Sequence, residues 1–176
     1  MPKKIGKLAS DRVVAAFNEQ VGNELGASHQ YVQIAAYFAD ASLSELAKFF
    51  YKQSTEEREH AMKFVRFLVD VEGKVEIPQV AAPKGNFKSA ADAVQASLEW
   101  EKTVTQQIYD LVEIVRTEAN YIALRFLDWF VTEQLEEVSS MAQLLSIVQR
   151  AGDDNLLFVE NYLSRRGPGE AGGATE

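Results

Sequence analysis

Residues 44–72 read SELAKFFYKQSTEEREHAMKFVRFLVDVE and contain neither proline nor glycine. Apolar residues recur along this stretch at alternating steps of four and three, which is typical of a helix that buries one face. Three polar residues, Gln53, Glu57 and His60, interrupt the apolar face near its middle. The stretch therefore predicts a long core helix that carries polar side chains at a buried position.

Helix-compatible sequence continues on both sides of this stretch. Serine and acidic residues mark the starts of further helices, and Gly73 and Gly152 follow two of the predicted ends. The run Ser42-Leu43-Ser44-Glu45 predicts a capping box for the second helix. The predicted helices cover about residues 11–41, 42–72, 89–116, 118–150 and 155–165.

The connections between these helices predict their directions. Links of a few residues join antiparallel neighbours, so helices one and two run in opposite directions, as do helices three and four. The link at residues 73–88 holds two prolines and three β-branched apolar residues. As extended chain it reaches about 50 Å, against about 45 Å for a long helix, so it crosses the whole bundle. The predicted fold is all-α: a four-helix bundle with one long crossover and a short fifth C-terminal helix.

The composition excludes several classes of protein. The chain has 176 residues, no cysteine and a formal net charge of -8. Disulfides and thiolate metal sites are impossible, and a negative charge does not favour nucleic acid. Apolar runs such as residues 34–39 are too short for a membrane span, and no signal-peptide pattern follows Met1. We expect a cytoplasmic protein without nucleic-acid or membrane partners, with one domain at 1–166 and a Gly-rich, disordered tail at 167–176.

Each long helix carries one glutamate near the middle of its apolar face. Burying several carboxylates together requires a counter-charge, because desolvating each ion costs several kcal/mol. His60, one turn after Glu57, offers a neutral imidazole on the same helix face. Two divalent ions cancel four negative charges, and carboxylate oxygens with one imidazole suit iron or manganese. The four acids are Glu24, Glu57, Glu101 and Glu137.

Single residues in these patterns also have ordinary structural interpretations. One glutamate on an apolar face is usually a rim residue, and only four at a matched depth favour a metal site. Tyr31 is either a core tyrosine or a hydrogen-bond donor to the metal-binding carboxylates. Gly22 and Gly26 predict a close helix or subunit contact, because glycine destabilises a helix. Trp129 is expected to pack, and His29 is expected at the surface.

Four motifs follow one another along the long helices. They are Asn23-Glu24-Leu25 with Gln30-Tyr31, Glu56-Glu57-Arg58-Glu59-His60-Ala61, Trp100-Glu101-Lys102-Thr103-Val104-Thr105 and the run from Trp129 to Glu137. Together they resemble the bacterial non-haem ferritins, over about residues 8–165. The resemblance implies a ferritin-like cage of 24 subunits with octahedral symmetry. It also implies that O2 or peroxide oxidises Fe(II) at a di-iron centre in each subunit, and that the cage stores the ferric mineral.

The resemblance further implies a ligand role for each acid. By that likeness, Glu24, Glu57 and His60 hold one iron. Glu57, Glu101 and Glu137 hold the second iron, and Glu57 bridges the two ions.

The bacterial members of the family have a third iron position beside the pair. It maps onto Glu56, Glu133 and Glu136, shared with Glu137. The alternative interpretation is a solvated acidic stripe, since clustered charges are usually exposed.

Haem is not expected, because the chain departs from the related haem-binding bacterioferritins at two points. Arg58 stands where those proteins have a haem-ligating Met, and Gln134-x-x-Glu137 replaces their second Glu-x-x-His. By the same resemblance, Gln134 hydrogen-bonds the oxygen species beside the iron pair, and Tyr31 is counted among the site residues.

Two other functions also fit the sequence. One is iron storage in which acidic inner surfaces nucleate mineral without significant catalysis. The other is a di-metal redox enzyme of related bundle architecture that acts on peroxide or an organic substrate. The lack of a cysteine centre and of inserted segments weighs against the second.

Overall fold

The computed structural model describes residues 7–166. Within this range four long helices form a bundle with a crossover between the second and the third, and a short fifth helix contacts the second and fourth. These features confirm the predicted all-α fold, whereas the expected tail at 167–176 lies outside the described residues. The helices are α1 (Asp11–Asp40), α2 (Ser44–Asp70), α3 (Ala90–Thr117), α4 (Tyr121–Ala151) and α5 (Leu156–Arg166), with a 3₁₀ turn at Asp153–Asn155.

The core consists of two apolar clusters, one towards each end of the bundle. One contains Phe38 and Phe50, and the other contains Phe17, Phe64 and Phe130. Between the two clusters, the buried residues of the long helices are predominantly polar. A polar layer therefore crosses the middle of the bundle. Along residues 7–166, no helix is long and apolar enough to traverse a membrane.

The first and third helices begin at the predicted caps. The side chains of Ser10 and Ser89 each accept a hydrogen bond from a backbone N–H of the first turn, at 3.1 Å in both cases. The fourth helix begins at Tyr121 rather than at Glu118. The reason is that Ala119 has a left-handed backbone, with φ of 50°, which ends α3 in a tight turn before α4 starts.

The capping box predicted at Ser42-Leu43-Ser44-Glu45 is wrong. Leu43 occupies the N-cap position of α2, and its side chain has no atom that can accept a hydrogen bond. The carboxylate of Glu160, on α5, accepts instead from the backbone N–H groups of Glu45 (2.8 Å) and Leu46 (2.9 Å). A negative charge at this end of α2 is favourable because it faces the positive end of the helix dipole. The fifth helix thus caps the second.

The crossover lies along a stripe of α1 residues spaced four apart. At one end, the Asn18 amide donates to the carbonyl of Lys74 (2.8 Å) and accepts from the N–H of Glu76 (2.7 Å). At the other end, Gln30 makes the same pair of bonds with the backbone of Lys84, at 2.9 and 2.8 Å. Two amide side chains thus pair with extended backbone as a neighbouring strand would. The stripe consists of Asn18, Gly22, Gly26 and Gln30.

The two glycines of this stripe leave room for neighbouring side chains. A Cβ at Gly22 would lie 2.3 Å from Cγ of Pro78, which belongs to the crossover. A Cβ at Gly26 would lie 3.4 Å from Trp100 of α3 and 3.7 Å from Val80. At Gly26 the neighbour on another helix is the Trp100 side chain at an ordinary van der Waals distance, so no close helix contact is found there. At Gly22 the prediction needs correction, since the crossover, not a helix, makes the close approach.

Candidate metal centre

The polar layer contains one glutamate from each long helix. Their side chains are almost fully enclosed, with relative exposures between 0% and 7%. His60 is buried beside them, and its Nδ1 atom lies 3.5 Å from Oε2 of Glu57. The sequence thus placed five titratable groups at one level of the core, and the structure has them there. They are Glu24, Glu57, His60, Glu101 and Glu137.

Three of the four carboxylates receive a hydrogen bond from a neutral side chain. Gln20 donates to Glu24 and Gln53 donates to Glu137, each at 2.9 Å, and the Tyr31 hydroxyl donates to Glu101. Of the two interpretations of Tyr31, the structure shows the hydrogen-bond donor. These bonds leave other oxygens of the layer free and hold the carboxylates in place.

Glu57 lies among the other three acids without a hydrogen-bond donor. Both of its carboxylate oxygens are buried and unpartnered among the described residues, as are Oε2 of Glu24 and Oε2 of Glu101. Buried oxygens without partners are costly, since each loses its hydration without compensation. The concentration of such atoms at one point fits a bound cation, which would satisfy them together.

The enclosed acids favour protons when no cation is bound. Burial raises the pKa of Glu24, and it raises the pKa values of Glu57 and Glu137 far above the ordinary range. The charges of neighbouring carboxylates add to the rise at Glu57 and Glu137. Burial also raises the pKa of Glu101 to about 7, although the hydrogen bond from Tyr31 acts in the opposite direction. Divalent metal binding at this layer must therefore displace protons.

The imidazole of His60 is suited to metal binding at neutral pH. Burial, followed by the nearby charge of Lys63, lowers the pKa of His60 to about 4. The ring is therefore neutral, and its Nδ1 atom has no hydrogen-bond partner among the described residues. A neutral imidazole with a free nitrogen is the form that coordinates a metal.

The structure contains two groups of potential metal ligands, and within each group all ligand atoms lie within 4.8 Å of one another. The first combines Glu24, Glu57 and His60, which is the set implied for one iron. The second combines His60, Glu133 and Glu137. The set implied for the other iron is Glu57, Glu101 and Glu137. Within residues 7–166, the ligand atoms of these three residues do not form a group that meets the same distance limit. Hydrogen bonds from Tyr31 and Gln53 hold one oxygen each of Glu101 and Glu137.

The acids of the implied third position lie at the edge of the layer. Glu133 is half-buried, with Oε1 at 3.9 Å from Nε2 of His60. Burial raises its pKa, and the charges of Glu136 and Glu56 raise it further. Glu56 forms an ion pair with Lys52 (3.1 Å), and Glu136 is exposed. The structure therefore places Glu133 beside His60, whereas Glu56, which is similarly half-buried, pairs with Lys52 and Glu136 faces solvent.

His29 lies at the surface as predicted, and Trp129 packs against the centre on one side while 39% of it stays exposed. The indole of Trp129 packs edge-on against the His60 ring, with ring centroids 5.3 Å apart, and Nζ of Lys63 lies 4.1 Å from the indole centroid. His29 is exposed on the surface of α1.

Sequence reasoning assigned no role to three polar neighbours of the acids. Gln20 precedes Glu24 by one turn, and Gln53 and Thr105 stand on the apolar faces of their helices. Thr105 donates a hydrogen bond to Oε1 of Gln134 at 2.8 Å. An uncharged polar residue on an apolar face is the sequence signal that could have identified Gln53 and Thr105. No comparable signal marked Gln20.

Comparison with known proteins agrees with the fold and the site. A family model described as a ferritin-like domain matches residues 14–151. The chain is 42% identical to Ferritin BfrB of Mycolicibacterium smegmatis, over 86% of this chain and 83% of that protein. It is 36% identical to the Bacterial non-heme ferritin of Staphylococcus aureus, over 90% of this chain and 97% of that protein.

Solved structures give the same result. An open pore ferritin from Archaeoglobus fulgidus superposes with a TM-score of 0.88 at 31% identity, covering 92% of this chain and all of that one. The buried acids, the bundle with its crossover, the family match and these relatives agree: the chain belongs to the ferritin family.

Proposed function

We propose that this protein stores iron and catalyses the oxidation of Fe(II) at the buried carboxylate layer. The observation that carries the proposal is Glu57, whose two unpartnered oxygens lie among three further carboxylates and a neutral histidine. Membership of the ferritin family supports iron storage. The enclosed carboxylates and the neutral histidine, which can hold two metal ions, are the basis for proposing the catalytic step.

Fe(II) is the substrate in this proposal, and the chain supplies its binding site. Glu24, Glu57 and His60 take one ion, and Glu57, Glu101 and Glu137 take the other. Two Fe(II) ions cancel the four negative charges, so binding relieves the repulsion that burial imposes on the acids. Protons leave the carboxylates as the ions arrive.

Oxidation requires the two bound ions to give one electron each to the same acceptor. With O2 as the acceptor, two electrons and two protons yield hydrogen peroxide. With peroxide as the acceptor, two electrons and two protons yield two waters. The role of the chain is to hold both ions side by side in a site that excludes bulk water, with an amide group of Gln134 facing the reacting oxygen.

Storage requires the oxidised iron to collect outside the centre. We propose that copies of the chain form a 24-subunit cage, and that Glu133, with Glu56 and Glu136, forms a third iron position on the way out. The open pore ferritin of Archaeoglobus fulgidus, which has the same fold, supports assembly around a cavity. We place the protein in the cytoplasm, the reducing compartment in which Fe(II) persists.

The test is the rate at which the purified protein consumes Fe(II) and O2. Replacing Glu57 and His60 together with alanine removes the central ligands, and we expect the oxidation rate to fall to that of buffer. A matched control replaces the exposed Glu59 and His29 with alanine, which changes the same residue types away from the layer. Wild-type oxidation no faster than buffer, or equal rates in both variants, would contradict the proposal.

Storage without catalysis is the second candidate, favoured by the accessible acids Glu56 and Glu136 at the edge of the layer. Both candidates predict that iron accumulates in the protein. They differ in initial oxidation rate, because only the first requires the buried ligands. Iron loading that survives the double alanine substitution at an unchanged rate would select the second candidate.

A further inference from the structure

The hydroxyl of Thr105 lies between two oxygen atoms that both require a donor. Its Oγ1 is 2.8 Å from the backbone carbonyl oxygen of Glu101 and 2.8 Å from the side-chain oxygen Oε1 of Gln134. A threonine hydroxyl has one proton, so it can donate to only one of them at a time. Which oxygen receives that proton determines how the Gln134 amide is oriented.

The two oxygens differ in what else can satisfy them. The Glu101 carbonyl lies inside α3, where the backbone N–H of Thr105 already donates to it as part of the regular helix. The Gln134 side chain is only 2% exposed, and no other donor reaches its Oε1 atom within the described residues. Leaving that amide oxygen without a proton costs more than removing a second bond from the helix carbonyl. The hydroxyl proton therefore belongs to Gln134.

This assignment fixes the opposite end of the amide. With Oε1 held by Thr105, the N–H groups form the opposite end of the Gln134 amide, on the side of the buried Glu101 carboxylate. The reverse orientation would place the amide oxygen against a carboxylate oxygen, where two acceptors repel. The layer thus contains a relay in which α3 orients a side chain of α4 through one hydroxyl.

We propose that Thr105 is a positioning residue, which keeps the N–H end of the Gln134 amide directed at the metal centre. The proposal rests on the proposed function, since it assigns to that centre a preorganised donor. Thr105 itself touches neither iron nor oxidant in this arrangement. Its effect passes entirely through Gln134, and this is the property that an experiment can isolate.

The test is a Co²⁺ titration of the full-length, metal-free protein, followed by visible absorption of the bound ion. Thr105→Val keeps the shape of the side chain and removes the hydroxyl, and we expect the centre to bind Co²⁺ about tenfold more weakly. Thr105→Ser keeps the hydroxyl, and its affinity should stay within about twofold of the wild type. If valine prevents folding, Thr105→Ala provides the same comparison with Thr105→Ser.

A double-mutant cycle shows whether the effect passes through Gln134. Gln134→Leu should weaken Co²⁺ binding, and adding Thr105→Val to it should cause no further loss. A merely structural role would instead give losses that add. Unchanged affinity in Thr105→Val, additive losses, or a serine variant as weak as the valine variant would each overturn the proposal.

The outcome is separable from that of the proposed function, because wild-type Fe(II) oxidation is measured on the same preparation. Wild-type protein that binds Co²⁺ without oxidising iron contradicts the catalytic function and leaves the cycle interpretable. Wild-type protein that oxidises iron, with a Thr105→Val variant of unchanged affinity, contradicts only the role of Thr105. Wild-type protein that binds no Co²⁺ at the centre overturns the positioning role.

Discussion

At the scale of single residues, the central feature is a carboxylate with no donor. Glu57 is fully enclosed, and its neighbours Glu24, Glu101 and Glu137 raise its pKa in addition to burial. Each of those three accepts a hydrogen bond from a neutral side chain, namely Gln20, Tyr31 or Gln53. Hydrogen bonds therefore hold Glu24, Glu101 and Glu137 in place, whereas both oxygens of Glu57 stay available to a metal ion. Its instability without metal is the consequence that can be measured.

Ionisation of Glu101 should lower the stability of metal-free protein as pH rises from about 5 to 8, whereas His60, whose pKa is lowered, acts in the opposite direction up to about pH 6.5. The pKa of Glu101 is about 7 in the folded protein, against 4.5 for a glutamate in water. A carboxyl group with a raised folded pKa adds stability below its unfolded pKa, and this stability is lost as pH rises through 7. We expect Glu101→Gln to raise the free energy of unfolding of metal-free protein at pH 8 by on the order of 3 kcal/mol.

Thermal unfolding with a chelator present, at pH 5 and at pH 8, checks this prediction. At pH 8 His60 is neutral in both the folded and the unfolded state, but at pH 5 only the unfolded chain protonates this ring, which lowers the stability of wild type and variant alike. The comparison is therefore made between wild type and variant at each pH. The substitution should have little effect at pH 5, where Glu101 is already protonated in the fold. A Glu101→Gln variant less stable than wild type at pH 8 would show that ionising the buried Glu101 carboxylate does not destabilise the fold.

At this scale the sequence predicted the acids and missed some of their partners. Glu24, Glu57, Glu101 and Glu137 could be found because a core glutamate breaks the helical period of apolar residues. Two of the donors, Tyr31 and Gln53, reach across to a carboxylate on another helix, and one helix's periodicity contains no information on such contacts. Gln20 lies next to the apolar face of α1 and is not one of its periodic positions, so the sequence pattern does not distinguish it from a surface glutamine.

At the scale of elements, the crossover and α1 fit each other through two glycines. Gly22→Ala would bring a Cβ within 2.3 Å of the Pro78 ring, which cannot rotate away without moving the crossover backbone. We expect this substitution to destabilise the fold by about 1–3 kcal/mol, the usual range for overpacking. Alanine's higher helix propensity, about 1 kcal/mol, offsets only part of that.

Gly26→Ala is the matched control, four residues further along the same stripe. Its nearest contact would be 3.4 Å, which is an ordinary van der Waals distance. We expect it to be neutral or to stabilise by up to about 1 kcal/mol. Denaturant unfolding of both variants decides between the two sites. Equal effects would mean that the crossover does not press on α1 at Gly22.

The cap of α2 gives a second prediction at this scale. Glu160→Gln removes the negative charge that faces the N-terminus of α2, and Glu160→Ala removes the acceptor as well. We expect a loss of about 1 kcal/mol for alanine and less for glutamine. Hydrogen exchange of the Glu45 and Leu46 amides should accelerate in the same order. Unchanged exchange at both amides in the alanine variant would show that α5 does not stabilise the start of α2.

The helix bounds show why some element ends could be predicted and others could not. Ser10 and Ser89 cap helices from the adjacent sequence, and both were identified correctly. The start of α2 depends on Glu160, more than 100 residues away, so a local motif at Ser42-Leu43-Ser44-Glu45 was mistaken for the cap. The start of α4 shifted because Ala119 adopts a left-handed backbone that its residue type does not announce.

At the scale of the whole molecule, the bundle consists of two apolar halves joined across a charged layer. The halves supply hydrophobic stabilisation, and the layer opposes it unless cations bind. Folding and iron binding are therefore linked, since metal that binds only the folded chain adds to its stability. The crossover length and the short links predicted this topology from the sequence. Assembly into a cage depends on surfaces between subunits, which the periodicity of one chain does not describe.

Crystals of the metal-free protein soaked in Fe(II), with anomalous diffraction recorded at the iron edge, test the central claim directly. We predict one peak bounded by Glu24, Glu57 and His60, and a second on the other side of Glu57, bounded by Glu101 and Glu137. Both peaks should lie in the polar layer between the two apolar clusters. Density that shows no iron in this layer, with the glutamates bound only to one another or to protein donors, would contradict the account.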